Sequence, residues 1–500
     1  MFPRLQVGLD RNMIGVVKGT TRAFVSGWIK VTLLVILSLA VCGWVGQALG
    51  AQMALQVLHE FFPGNGAPRF PSGRLVEGED GWFYGTSSRG GEFDCGTVFK
   101  ATSDGTIAIL YSFDGRDPLG DNNGPRMGMT RVANGDFYGV ALTRGPQGDF
   151  FRFRTNGVPA VEFPWGTNLD YGFTLNGDLA YDGVETLYGA TTQGGSNHLG
   201  SVFRLTTNGV FTTLFHFNGT NGSYPTRSVT FGKDGNLYGT TLWGGMGFAG
   251  DLQSGYGTVF KLTTNGTLTT LAFFGATNGA RPVASLTYAS DGYLYGATSG
   301  GGTFGSGTLF RVTTSGALTT LASFDGTNGA GPISGLTQVP SGEFYGLTAL
   351  GPDNPNASWG SFGTLFRVTT NGVITTIANF NGANLINPYP SADLCLAQDG
   401  NLYGLAADFV HGLSLNGNAG IFFRLAQVPQ ITTQSISNGT VILHWAAFTN
   451  GVYRVERKSG VWSNNWVALV PNVTAPGGTA SFTDSSPLPG GSYYRVVLLP

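Results

Sequence analysis

Charge and cysteine are both scarce in this chain. Lys, Arg, Asp and Glu make up only 11% of its 500 residues, the formal net charge is −2, and cysteine occurs three times, at Cys42, Cys95 and Cys395. Without a basic excess there is no electrostatic footprint for nucleic acid. Three cysteines so far apart lack the spacing of a metal centre, and neither H-E-x-x-H, G-x-S-x-G nor a P-loop occurs. Low charge does not signal disorder here, because 41% of the residues are hydrophobic and 13% aromatic. What the chain has in abundance is glycine, 80 residues, and phenylalanine, 36 residues. That is the composition of a turn-rich, packed β protein.

The first fifty residues differ from the rest. Arg4, Arg11, Lys18, Arg22 and Lys30 precede an apolar run from Val31 to Val41, followed by small residues around Ala48, Gly50 and Ala51. Residues 1–50 read as a secretory signal with a basic leader, which Met13 as the start would shorten. An uncleaved anchor is the alternative. Leu39-Ala40-Val41-Cys42 resembles a lipoprotein box, from which Val41 departs. Cleavage would leave 22 basic against 28 acidic residues, two cysteines and a secreted or cell-envelope protein with no membrane span. Cys95 and Cys395 are expected as separate buried thiols, with a disulfide as the alternative.

Between Leu55 and Leu425 one pattern of about fifty residues recurs seven times. A Tyr-Gly pair after an apolar residue occurs at Tyr84, Tyr138, Tyr188, Tyr238, Tyr295, Tyr345 and Tyr403. A Phe before Lys or Arg occurs at Phe99, Phe151, Phe203, Phe260, Phe310, Phe366 and Phe423. A third aromatic occurs at Phe61, Phe113, Phe163, Phe217, Phe274, Phe324 and Phe380. Six residues after each of the first six Phe anchors stands a glycine, from Gly105 to Gly372, that suits a tight hairpin.

Each repeat therefore reads as four antiparallel strands, in repeat four an inner strand (Arg227–Gly232), a Tyr strand (Asn236–Thr241), a Phe strand (Gly257–Thr263) and an outer strand (Thr267–Phe274). The array starts out of phase. Residues 55–61 look like an outer strand without its blade, and the seventh repeat lacks one. The expected fold is an all-β, seven-bladed β-propeller over residues 51–428, closed by the N-terminal strand. The cation after each Phe is expected to be a strand-edge charge.

The motifs LYG at 237–239, GTVFKLTTNG at 257–266 and LTTLASFDGTNG at 318–329 resemble the GloVer tandem-repeat family of exported bacterial proteins. The resemblance covers about three quarters of the chain, with repeat two most divergent at Gly148-Asp-Phe-Phe151. It implies a secreted or surface-attached β-propeller and brings no biochemical activity. Residues 429–500 leave the repeat; Val441-Ile-Leu-His-Trp445, Tyr453-Arg-Val-Glu456 and Tyr493-Tyr-Arg-Val496 resemble strands of a small fibronectin-III-like β-sandwich, which implies a spacer.

The expected function is non-enzymatic. The distance from Tyr anchor to Phe anchor varies between 13 and 22 residues, so length variation falls in one loop, and loops on a rigid scaffold carry binding. The candidate ligand residues are Trp243, Phe248, Tyr256, Trp359, Phe362, Phe409 and His411, for stacking on a glycan or contacting a protein partner. The competing reading is that these aromatics only plug gaps, in a structural envelope component. A glycan hydrolase or lyase is the third reading, which two neighbouring carboxylates at the ring's centre would favour. No cofactor is expected. Asp114, Asp117 and Asp121 form the one calcium candidate, without the alternation of a compact oxygen cage.

Overall fold

The computed structural model describes residues 53–500, apart from the stretches 115–123, 142–148, 155–158, 165–172, 352–362, 381–388, 408–419, 428–430, 448–451, 460–465, 477–478, 489–491 and 499–500 and the single positions 63, 65, 126, 176, 252, 391 and 438. The proposed leader, residues 1–50, lies outside the described residues. The fold is all-β, with no helix among the described residues and none long and apolar enough to cross a membrane. The chain divides into two compact units, one spanning Leu55–Leu425 and the other holding the strands after Ala426.

In the first unit each repeat forms one antiparallel sheet of four or five strands. Repeat four shows the plan. Ser223–Pro225 and Thr230–Phe231 pair with the Tyr strand Leu237–Trp243, which pairs with the Phe strand Thr258–Leu262, which pairs with the outer strand Leu268–Phe273. The inner strand is thus broken, not continuous as the sequence suggested. Between the pairs Pro225↔Thr241 and Thr230↔Tyr238, four residues oppose two, and Arg227 takes a positive φ of 39° to absorb the excess.

The Tyr-Gly signature has two packing duties. In all seven repeats the glycine faces the Phe anchor across the strand pair, as in Gly85↔Phe99, Gly239↔Phe260 and Gly404↔Phe423. The apolar residue before the tyrosine packs on the tyrosine of the preceding repeat: Tyr84 stacks on Phe137 at 4.4 Å and Tyr295 on Phe344 at 4.3 Å between centroids. The same contact joins the last repeat to the first, Tyr403 to Phe83 at 4.2 Å. There too, strand Met53–Phe61 pairs with Gly420–Gln427, and Arg424 Nη2 donates to Gln56 Oε1 at 2.7 Å. Phe61 and Phe99 share a buried cluster with Cys395 and Tyr403.

The cation after the Phe anchor is not an edge charge, because the Phe strand lies inside its sheet. Lys261 Nζ meets Asp234 of the neighbouring turn at 2.8 Å, and Arg367 meets Glu343 at 3.5 Å. Asp234 also accepts from the anchor hydroxyl of Tyr238 at 2.8 Å, so the hairpin, the Tyr strand and the Phe strand are tied at one carboxylate. Burial works against ionisation of Asp234, but these bonds hold its carboxyl far below the usual range.

The second unit holds two three-stranded sheets. One runs Ile431–Ser437, Thr440–Ala446, Thr479–Asp484, and the other Val467–Thr474, Val452–Lys458, Tyr493–Leu498. Alternate residues of both, among them Leu443, Trp445, Tyr453 and Val496, form one buried core.

Candidate functional site

Among the concave sites of the repeat unit, two lie toward opposite ends of the strands. The first is at the end where the Tyr strand leaves for the long loop. Trp243 closes that strand in repeat four, and with Tyr256 and Arg281 it lines a cavity of about 310 Å³. Tyr256 is 37% exposed and Trp243 half-buried. The Arg281 guanidinium carbon stands 6.0 Å from the centre of the Trp243 ring, a cation–π contact. Arg281 is held there by its N–H, which donates to Tyr256 O at 2.9 Å, and by a positive φ of 57°. The matching positions Phe70, Tyr224 and Gly331 take the same positive φ, 52°, 57° and 58°, so this left-handed backbone recurs between repeats and repeat five places an arginine on it.

The other sequence candidates are placed differently. Phe248 packs on the core between repeats, its ring seated against Gly219. Trp359, Phe362, Phe409 and His411 lie outside the described residues. Asp114 is described, but Asp117 and Asp121 are not; among the described residues no cluster could hold a metal ion. Cys95 and Cys395 are separate buried thiols, and burial pushes both upward in pKa.

The second site runs along the inner strands and was missed in the sequence. Every inner strand meets its Tyr strand in a pair centred on the anchor, as in Val76↔Tyr84, Ala180↔Tyr188, Thr230↔Tyr238 and Cys395↔Tyr403. Two residues before that pair stand, in repeat order, Arg74, Gly128, Asp178, Ser228, Ser285, Gly335 and Asp393. Residues from all seven inner strands line a cavity of about 980 Å³, which extends from the level of Arg74, Asp178, Ser228, Ser285 and Asp393 to the side chains beside the tight turns.

The two aspartates are seated by the same device. Asp393 Oδ1 accepts the Gly335 N–H at 2.6 Å, and Asp178 accepts the Gly128 N–H. A Cβ at Gly128 would lie 2.7 Å from Asp178 Oδ1, and one at Gly335 2.8 Å from Asp393 Oδ2, so only glycine leaves room for each carboxylate. Asp178 is open to the cavity but walled in by protein. Burial pushes its carboxyl up to about 6, the Asp393 charge acts in the same direction, and Arg74, Arg227 and the Gly128 N–H oppose them. Arg227 lies one residue toward the loop end and reaches across to Val283 O at 3.2 Å and Ile333 O at 2.9 Å. Neighbouring inner strands are laced by threonines, Thr230 Oγ1 donating to Leu286 O at 2.6 Å and Thr337 Oγ1 to Leu394 O at 2.9 Å.

A model of the Gloeobacter/Verrucomicrobia repeat matches residues 147–359 and 246–454, together more than half of the chain. The chain belongs to that repeat family. No curated protein matches it. Among solved structures this family member is similar to a puromycin hydrolase, 14% identical, TM-score 0.41, covering 79% of this chain and 62% of that one. It is also similar to a fungal alcohol oxidase in complex with copper, 10% identical, TM-score 0.46, covering 89% and 92%. A third is the Penicillium chrysogenum alpha-L-arabinanase complexed with arabinobiose, 15% identical, TM-score 0.37, covering 59% and 91%.

Proposed function

We propose that this family member is an exported, non-enzymatic binding protein in which the seven sheets are the blades of a closed β-propeller. Ring closure is supported by the pairing of Met53–Phe61 with Gly420–Gln427 and by the Tyr403–Phe83 contact. The unit after Ala426 serves as a fibronectin-III-like spacer, supported by its two sheets around Trp445.

Binding is assigned to the loop end, on one observation: Trp243, Tyr256 and a strained Arg281 together line an open cavity. An aromatic face beside a guanidinium suits a sugar ring of an extracellular glycan, which stacks on the indole while its hydroxyls accept from the arginine. A glycan-array screen of the full chain tests this. Retention of glycans by the wild type and their loss in Trp243→Ala, with an unchanged melting temperature, is the expected result. Equal retention by both proteins refutes the assignment.

The carboxylates Asp178 and Asp393 favour the enzyme reading more than the sequence did, because both line one cavity and the Asp393 charge acts on Asp178. Incubation of the protein with a panel of polysaccharides, followed by assay of reducing ends, tests it.

A further inference from the structure

We propose that the inner-strand cavity is a second binding site, independent of the loop end, for a small, neutral, polyhydroxylated ligand of the saccharide class.

The argument begins with charge. Arg74, Glu77, Arg131, Asp178 and Asp393 line the cavity, and Arg227 acts on Asp178 from beside it. Three charges of each sign leave no net charge to concentrate an ion of either sign. They do fix strong acceptors and strong donors a few residues apart. A ligand that fits must both donate and accept at neighbouring atoms without a charge of its own, and vicinal hydroxyl groups do this. Carboxylates have lone pairs beyond the single N–H that each accepts from glycine. Arg74 is exposed and lines the cavity.

The walls agree with this. At the level of the aspartates stand the hydroxyls of Ser228 and Ser285, 3.0 Å apart, and toward the turns come the side chains of Thr230 and Thr287. Beside the turns stand Tyr288, Phe231 and Gln398, giving ring faces and amide groups at the mouth. A volume of about 980 Å³ is enough for a saccharide of a few units.

The strand register also sets this site apart. In repeat four the wall runs from Ser228 toward the Asp234-Gly235 turn, whereas Trp243 closes the Tyr strand at its other end. The saccharide therefore enters from the side of the short turns, and the loops whose length varies do not form its mouth. The two Gly–Asp pairs, Gly128 with Asp178 and Gly335 with Asp393, place both carboxylates facing the cavity by one repeated arrangement.

Isothermal titration of the full chain against a panel of neutral mono- and disaccharides tests the proposal, with inorganic phosphate and glycine betaine as charged controls. The expected result is a saccharide that binds with a Kd of about 1 mM or tighter. Asp393→Asn should weaken it by about tenfold or more, through loss of a charge-assisted acceptor. Gln398→Trp, an exposed change that narrows the mouth and leaves the carboxylates intact, should weaken it as well and decides the matter if Asp393→Asn does not fold. Trp243→Ala should leave this binding unchanged, whatever it does at the loop end. Absence of saccharide binding at about 10 mM overturns the proposal. So does binding of phosphate or betaine as tight as any saccharide, or saccharide binding that Gln398→Trp leaves intact.

Discussion

The ring of Phe260 lies over Gly239, its partner across the strand pair, so closely that a Cβ on Gly239 would stand 2.4 Å from Cζ of the ring. The same pair recurs in every repeat, from Gly85 with Phe99 at 2.7 Å to Gly404 with Phe423 at 2.3 Å. A fully buried aromatic cannot yield space without displacing the neighbouring sheet. Gly239→Ala should therefore cost about 1–3 kcal/mol by overpacking. Urea denaturation should show this loss, and Phe260→Leu in the same chain should recover part of it. Gly64, whose Cβ would meet nothing within 4 Å, supplies the control substitution.

Closure can be tested at Phe61. It is 1% exposed, with its ring 5.7 Å from that of Phe99. Phe61→Ala should lower stability by about 3–5 kcal/mol, as for a core aromatic. Deleting residues 53–61 should do more, since it bares the edge of Gly420–Gln427 and should cause aggregation visible by size-exclusion chromatography. An unchanged melting curve for the deletion would sink the closed ring.

The two loop aromatics of repeat four should behave oppositely on truncation. Phe248 packs on the core, so Phe248→Ala should cost about 2 kcal/mol. Tyr256, at 37% exposure, should cost no more than about 0.5 kcal/mol when changed to Ala. Thermal melting of the two variants side by side checks the contrast.

Asp178 and Asp484 should give stability–pH slopes of opposite sign. The Asp178 carboxyl is raised from 3.8 to about 6, with Asp393, Arg74 and Arg227 as the charges that face it. Its contribution is fully present below the unfolded pKa and is lost as pH rises through the folded one. Relative to wild type, Asp178→Asn should gain up to about 3 kcal/mol between about pH 4 and pH 7.

Asp484 is held below the usual carboxylate range. Burial opposes its ionisation, but bonds from Tyr494 Oη at 2.6 Å, the Ser486 N–H at 3.0 Å and Arg457 Nη1 at 2.7 Å outweigh it. Its contribution is present above the unfolded pKa and is lost as pH falls through the folded one. Asp484→Asn should thus lose about 1–3 kcal/mol at pH 7 and much less in acid. Denaturant melts of each variant and wild type across pH 3–8 would check both signs.

The sequence by itself determined the repeat, its turns and its anchors. Tyr238, Gly239 and Phe260 recur at nearly fixed spacing because each pair of neighbouring strands poses the same packing problem, and a repeated problem leaves a repeated residue. The tie of Lys261 to Asp234 is a different case. Lys261 is on the Phe strand and Asp234 in the turn before the adjacent Tyr strand, and only the observed strand order shows that the cation lies inside the sheet instead of at its edge.

Only the tertiary structure decided where the inner-strand charges converge. Arg74, Asp178, Arg227 and Asp393 come from four different repeats, and each stands in its own repeat as a departure from the common pattern. Nothing in one repeat calls for another's charge, since the coupling is through space across a cavity that exists only after the sheets have packed side by side. The glycines that seat the two aspartates are equally silent in sequence. Gly128 and Gly335 are needed by side chains that arrive from the next repeat, at a distance of about fifty residues along the chain.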